Sequence, residues 1–101
     1  MKIEKIIQLA EDCLEIKNAP YLKGLKGMHY PDKNLILICK HKCTGITDYK
    51  ITIAYELYHA IYENMDDESV ELKAKKVVKE TPEIIDFVIE LFSLNDFKKR
   101  R

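Results

Sequence analysis

The sequence predicts an α+β fold with an N-terminal helix, a small β-sheet or hairpin, and then three helices. Helical spacing of apolar residues occurs at the start of the chain and again from about Thr47 onward. All three glycines and two of the three prolines lie between Pro20 and Gly45, so turns are concentrated there. With 101 residues, 47% of them hydrophobic, we expect one compact domain spanning residues 1–101.

The first element is predicted to be an amphipathic helix over about residues 2–17. Its apolar residues recur at intervals of three and four, as on one helical face: Ile3, Ile6, Ile7, Ala10, Cys13 and Leu14. Pro20 ends the helical stretch, because proline disfavours the helical conformation in the residue before it.

A β-hairpin is predicted next, from strands at about 25–30 and 35–40. The turn between them has proline, aspartate and asparagine at 31–34, which are typical turn residues. In the second strand, alternation places one set of side chains on one face, namely Leu35, Leu37, Cys39 and His41. Ile36 and Ile38 then lie on the other face.

Three helices are predicted to complete the domain. The second helix of the chain begins near Thr47, with an inward stripe of Ala54, Leu57, Tyr58, Ile61 and Met65. The third covers about 67–79 and buries Val70, Ala74, Val77 and Val78. The fourth begins with Thr81 as N-cap and runs to about Asn95, burying Ile84, Ile85, Val88, Leu91 and Phe92.

The charge balance argues against nucleic-acid and membrane partners. Seventeen basic and seventeen acidic residues cancel, so no global field attracts phosphate or anionic lipid. The basic run 98–101 is interpreted as a solubilising terminus. The start of the chain lacks a signal-peptide pattern, and the cysteine count of three is odd, so we expect a cytoplasmic protein without a disulfide framework.

The chemistry-bearing motif lies in the second helix. Tyr55 and His59 are four residues apart and therefore share a face, with Glu56 beside them. This is the spacing of H-E-x-x-H, in which two histidines hold zinc and the glutamate activates water, but here tyrosine replaces the first histidine. Downstream, Glu71 lies at the margin of the buried face of the third helix, where an ionised carboxylate needs a partner.

Together these segments resemble the ImmA/IrrE family of zinc metallopeptidases, which occurs on phages and integrative elements and among bacterial stress regulators. The family pattern is an apolar strand, a helix reading T-x-A-H-E-x-x-H, and a second helix with glutamate, alanine and an apolar-small pair. The matching segments here are 35–38, then 52–59, then Glu71 with Ala74, Val77 and Val78. The resemblance covers roughly residues 20–80 and implies a minimal zincin-like fold.

The resemblance implies a role for each site residue. Glu56 would be the general base, His59 and Glu71 would be metal ligands, and Tyr55 occupies the position of the missing histidine. Catalytic zinc is usually held by three protein ligands, and a phenol with an ordinary pKa of about 10 is a poor substitute. We therefore expect no cofactor, with zinc bound only if the site is functional. Without zinc, His59 is expected to hydrogen-bond Glu56, Glu63 or Glu71.

Substitute ligands remain open from the sequence. His29, His41, Cys39 and Cys43 are donors that zinc accepts, although their spacing matches no C-x2-C framework. The alternative interpretation is that the two cysteines are small core residues and that His41 is solvated.

The leading functional hypothesis is a catalytically degenerate metallopeptidase-like protein that binds a repressor, regulator or host-defence protein. A cleft beside an edge strand can accept an extended peptide that it does not cut. The predicted partner-binding residues are Tyr55, Tyr62, Leu37 and Cys39. The alternative is an active zinc-dependent endopeptidase that cleaves a repressor or regulator.

Overall fold

The computed structural model describes residues 1–94. Its helices are α1 (Ile3–Glu11), α2 (Ile46–Ile61), α3 (Asp67–Glu80) and α4 (Pro82–Leu91), and its strands are β1 (Glu15–Asn18), β2 (Gly27–Tyr30) and β3 (Leu35–Ile38). The α+β class is confirmed, with an N-terminal helix, a three-stranded sheet and three further helices in that order. The predicted end of the last helix at Asn95 and the basic run 98–101 lie outside the described residues.

The first predicted helix was wrong in its last six residues, 12–17. Helix α1 ends at Glu11, and the chain then passes through Cys13, which has a positive φ of 72°. Residues 15–18 form β1 instead, because their backbone pairs with β3. Leu14 and Ile16 are buried as alternate residues of an extended segment, whereas Ile3 and Ile7 of α1 remain 38% and 40% exposed.

The sheet has the strand order β1-β3-β2, so β3 is central and β2 is an edge strand. The predicted hairpin is confirmed, since β2 and β3 pair antiparallel with Gly27 opposite Ile38 and His29 opposite Ile36. Strand β3 ends at Ile38, two residues earlier than predicted, and His41 belongs to a short 3-10 helix at Lys40–Lys42.

One face of the sheet is covered by α2 and contributes the fully buried Ile36 and Ile38. Leu35 and Leu37 lie on the opposite face and are half-buried. Helix α2 packs in turn against α3 and buries the following side chains: Tyr49, Thr52, Ile53, Ala54, Glu56, Leu57 and Tyr58. The central helix is therefore covered along most of its length, and its position is fixed by the core.

The predicted helical faces are largely confirmed. All four expected residues of α3 are buried, as are Ala54, Leu57 and Tyr58 of α2. In α4, Ile85 and Val88 are buried as predicted, but Leu91 is 42% exposed and Ile89 is buried in its place. Thr81 is the N-cap residue of α4, yet its hydroxyl donates to the carbonyl oxygen of Val77 in the preceding helix.

A hydrogen-bonded chain joins distant parts of the fold. The Tyr49 hydroxyl donates to Oδ1 of Asn18 at 2.7 Å, and Nδ2 of Asn18 donates to the carbonyl oxygen of Leu94 at 3.0 Å. These contacts link the end of β1 to α2 and to the segment after α4. No helix within residues 1–94 has the length and apolar character needed to cross a lipid bilayer.

Candidate functional site

Two adjoining clefts lie between the edge strand β2 and the helices α2 and α3. The first cleft has a volume of about 510 Å³. Its lining includes Gly27, His29, Tyr55, Glu56, His59, Glu63 and Asp67. The second cleft, of about 560 Å³, shares Gly27, Tyr55 and Glu56 with the first. It continues along Lys26, Asp48, Thr52, Glu71 and Lys75. Tyr55 and Glu56 therefore lie where the two clefts meet.

The backbone of β2 presents hydrogen-bonding groups to the first cleft. The amide of Cys39 donates to the carbonyl oxygen of Lys26 at 2.7 Å, which fixes the alternation of bonds between β2 and β3. In an antiparallel pair, every second residue points its N–H and C=O away from the partner strand. In β2 those residues are Gly27 and His29, so their backbone groups face the open edge of the sheet.

Strand β2 approaches helix α2 closely at Gly27. A Cβ atom at this position would lie 3.0 Å from Cγ2 of Thr52 and 3.1 Å from Oε2 of Glu56. Glycine therefore fits here without displacing these side chains, whereas a larger residue would have to push them aside. The carboxyl group of Glu56 consequently lies directly beneath the backbone of the edge strand.

Glu56 is a buried carboxyl group, only 6% exposed. Among residues 1–94 it has neither a hydrogen-bond partner nor a salt-bridge partner. Burial, together with the smaller effect of the negative charge of Asp67, raises the pKa of Glu56 from 4.5 to about 7. A carboxyl group with a pKa near neutrality, facing two clefts, is suited to exchange a proton or to pair with a cation.

Tyr55 and His59 lie side by side on α2, as expected for residues four apart. Their rings meet edge to face, with centroids 4.7 Å apart. Burial raises the pKa of Tyr55, and the charges of Asp67, Glu56 and Glu71 also raise it. Without a metal ion, the side chain at this position is therefore a neutral phenol.

The carboxylate that contacts His59 is that of Asp67, a residue that the motif does not include. Nε2 of His59 lies 3.3 Å from Oδ1 of Asp67, rather than pairing with any of the three carboxylates expected. Asp66, not Asp67, caps α3, because its side chain accepts the backbone N–H of Ser69 at 3.0 Å. Three consecutive acids at the helix start, residues 66–68, were the available signal, since only one of them is needed as the cap.

Glu71 is exposed, and its carboxylate pairs with Lys75 at 3.0 Å. It is therefore not the inward-facing acid in need of a metal that we expected. It lines the second cleft with Tyr55, whereas His59 lines the first. Within the described part of the chain, no three His, Cys, Asp or Glu side chains are placed to hold a metal ion. The zinc-ligand set of Tyr55, His59 and Glu71 therefore stays a prediction from the resemblance.

Among the substitute ligands considered, His29 alone lies in the first cleft. Burial lowers the pKa of His29, and the neighbouring His59 lowers it further. Cys43 lies elsewhere, with its Sγ 3.8 Å from Oγ1 of Thr52. His41 is exposed in the segment after β3.

The predicted partner-binding residues are scattered over the structure. Tyr55 lines both clefts, and Tyr62 is 45% exposed and stacks on Tyr58. Leu37 lies on the central strand, on the sheet face away from α2, so it cannot form the edge that a peptide would extend. Cys39 is 2% exposed and its thiol donates to the carbonyl oxygen of Pro20, so its side chain belongs to the core.

No protein-family model, curated protein or solved structure matches this chain. The resemblance to the ImmA/IrrE family therefore stays a prediction from the motif. The geometry of the two clefts stands independently of it.

Proposed function

We propose that this protein is a catalytically degenerate metallopeptidase-like domain that binds an extended segment of another protein along β2. The observation that carries this proposal is the open edge of β2, whose outward backbone groups at Gly27 and His29 face a cleft floored by Glu56. A helix that bears the motif beneath an edge strand also accords with the zincin-like fold implied by the resemblance.

The size of the edge limits what backbone pairing alone contributes. Gly27 and His29 each offer one N–H and one C=O, so an added strand gains up to about four hydrogen bonds. Each contributes a net of roughly 1 kcal/mol, and ordering the segment costs a comparable amount. Side chains in the two clefts must therefore supply much of the affinity and all of the selectivity.

The state of Tyr55 favours binding over catalysis. A phenol ligates zinc well only after it loses its proton, and burial together with three neighbouring carboxylates raises the pKa of Tyr55. The neutral phenol instead offers a rigid ring and a hydroxyl to a bound segment, which is typical of protein interfaces. By the resemblance, the partner would be a repressor, a stress regulator or a host-defence protein.

An active zinc endopeptidase is the second candidate, favoured by one observation. Glu56 has a pKa of about 7, which suits a general base working near neutral pH. This candidate predicts about one zinc per chain after purification without chelator. It also predicts that peptide is cut in a chelator-sensitive manner and that Glu56→Gln abolishes cutting.

The test uses the full chain and a library of short random peptides. Selected peptides are titrated into isotope-labelled protein, and the backbone amide signals of Gly27 and His29 are followed. We expect these signals to shift and the peptide to be recovered intact. A peptide cleaved only in the absence of chelator would establish the second candidate, and binding that leaves both amides unperturbed would refute pairing along β2.

A backbone variant provides the matched control. His29→Pro removes an outward N–H that β3 does not use, so the hairpin is retained, as for prolines on sheet edges. His29→Ala removes the same side chain and keeps the N–H. We expect His29→Pro to bind the selected peptides roughly fivefold more weakly than His29→Ala, as for the loss of one hydrogen bond. Equal affinities would contradict the proposed mode.

A further inference from the structure

The two clefts differ in how their acidic side chains are balanced. In the second cleft, Asp48 pairs with Lys26 at 2.8 Å and Glu71 pairs with Lys75 at 3.0 Å. The lining of the first cleft includes three carboxyl groups but neither lysine nor arginine. Its own cationic candidates are two histidines. Apart from Glu56, which lines both clefts, the acids of the second cleft are therefore paired with lysines, whereas the first cleft has no lysine or arginine to balance its acids.

Glu56 makes this imbalance significant for a ligand. Its side chain is only 6% exposed and points into the cleft, and no residue among 1–94 pairs with it. The carboxyl oxygens of Glu56 still reach solvent in the cleft. A ligand that displaces this water without supplying a partner would leave the carboxyl group buried and unpaired, which is costly, whereas a ligand that supplies a positive charge would avoid that cost.

The register of β2 determines which ligand side chain meets Glu56. Residues opposite one another in a sheet place their side chains on the same face. A Cβ atom at Gly27 would point toward α2, since its position lies 3.1 Å from Oε2 of Glu56. A ligand residue opposite Gly27 therefore directs its side chain toward α2 and into the space beside Glu56.

We propose that the segment bound along β2 carries a lysine or arginine opposite Gly27, whose cationic group pairs with Glu56. Asp67 and Glu63 lie at the mouth of the same cleft and add to the attraction for a cation. The side chain of Asp67 is 83% exposed to water, whereas Glu56 is only 6% exposed, so Glu56 is the principal partner. This inference rests on the proposed function and specifies one residue type that the bound segment must carry.

The test compares two blocked peptides that differ in one residue. They are acetyl-Thr-Val-Arg-Val-Thr-amide and the same peptide with norleucine in place of arginine. Dissociation constants are measured by the shifts of the Gly27 and His29 amide signals. We expect arginine to bind about tenfold more tightly than norleucine, as for a charge-assisted hydrogen bond, and the preference to decrease as salt is raised.

Two variants identify the group that recognises the cation. Glu56→Gln should abolish the preference for arginine, while Glu90→Gln, which removes an exposed acid of α4, should retain it. Equal binding of the two peptides by the parent protein would overturn this inference and leave pairing along β2 intact. An arginine preference that survives Glu56→Gln would also overturn it. If neither peptide perturbs Gly27 and His29, pairing along β2 itself is refuted.

Discussion

The backbone of Gly27 lies directly against the carboxyl group of Glu56. A Cβ atom added at Gly27 would come within 3.1 Å of both Cγ and Oε2 of Glu56. This contact joins the open edge of the sheet to the one buried carboxyl that faces both clefts in the described chain. The carboxyl group of Glu56 therefore lies next to the edge along which a further strand would pair.

The contact predicts that Gly27→Ala destabilises the protein. The added methyl meets Thr52 at 3.0 Å and Glu56 at 3.1 Å, so α2 and β2 must move apart slightly. We expect the free energy of unfolding to fall by roughly 1–2 kcal/mol, as for other overpacked sites. Urea unfolding measures this. Gly45→Ala is the control, because its Cβ meets nothing within 4 Å, and an equal loss in that variant would contradict the packing argument.

Glu56 is predicted to make stability fall as the pH rises. Its pKa is about 7 in the folded protein and ordinarily 4.5, so between these values the folded state holds a proton that the unfolded state has lost. The stabilising contribution is complete below about pH 4.5 and is lost as the pH passes 7. At roughly 1.4 kcal/mol per pKa unit, the change amounts to about 3 kcal/mol.

The substitution Glu56→Gln should remove this dependence. The amide keeps the shape but does not ionise, so the variant should gain stability relative to the parent between pH 4 and pH 8, by about 3 kcal/mol in all. His29 contributes with the opposite sign, because its pKa is lowered by burial, but both proteins share it. Glu90→Gln controls for the substitution itself. A constant difference between parent and Glu56→Gln across this range would contradict the prediction.

The sequence predicts those elements whose pattern was unambiguous. Helix α3 was found with its whole buried face, because valine and alanine recur at helical spacing with acids first and lysines last. Strand β1 was missed, because Leu14 and Ile16 are two residues apart and the first of them also continued the helical stripe of α1. The choice between helix and strand for this segment depends on pairing with β3, which lies about twenty residues further along the chain.

For the candidate site too, some relationships between residues could be predicted from the sequence and others could not. Side chains within one helix were placed together from spacing alone, as with Tyr55 and His59. Which residue of α3 lies beside His59 could not be predicted from the sequence. The angle and the offset at which two helices pack do not follow from the residue pattern of either helix alone. In the structure His59 contacts Asp67, which lies one helical turn before Glu71. Glu71 is the ligand that the resemblance implies.

Asp67 is predicted to contribute to the electrostatics of Glu56. Its negative charge is the second cause of the raised pKa of Glu56, after burial. Asp67→Asn should therefore lower the pKa of Glu56 below about 7, while burial keeps it above 4.5. Carboxyl carbon shifts in an NMR titration report this directly. Glu68→Gln, which removes the neighbouring exposed acid, is the matched control, and an unchanged pKa in Asp67→Asn would show that the two carboxyls do not interact.

Tyr55 is the residue at which the motif departs from the family pattern. Tyr55→His would place two imidazoles one turn apart on α2, where the rings of Tyr55 and His59 now meet at 4.7 Å. We expect zinc affinity, measured by calorimetric titration, to rise at least tenfold, because the variant offers two histidines and a nearby carboxylate.

Two further substitutions in the Tyr55→His background identify the third ligand. Oδ1 of Asp67 already lies 3.3 Å from Nε2 of His59, whereas Glu71 pairs with Lys75. Adding Asp67→Asn should therefore cancel the gain in zinc affinity, and adding Glu71→Gln should leave most of it. The reverse result would restore the ligand set that the resemblance implies, with α3 shifted by about one turn when the metal binds. No gain in Tyr55→His would mean that zinc cannot recruit a third ligand from α3.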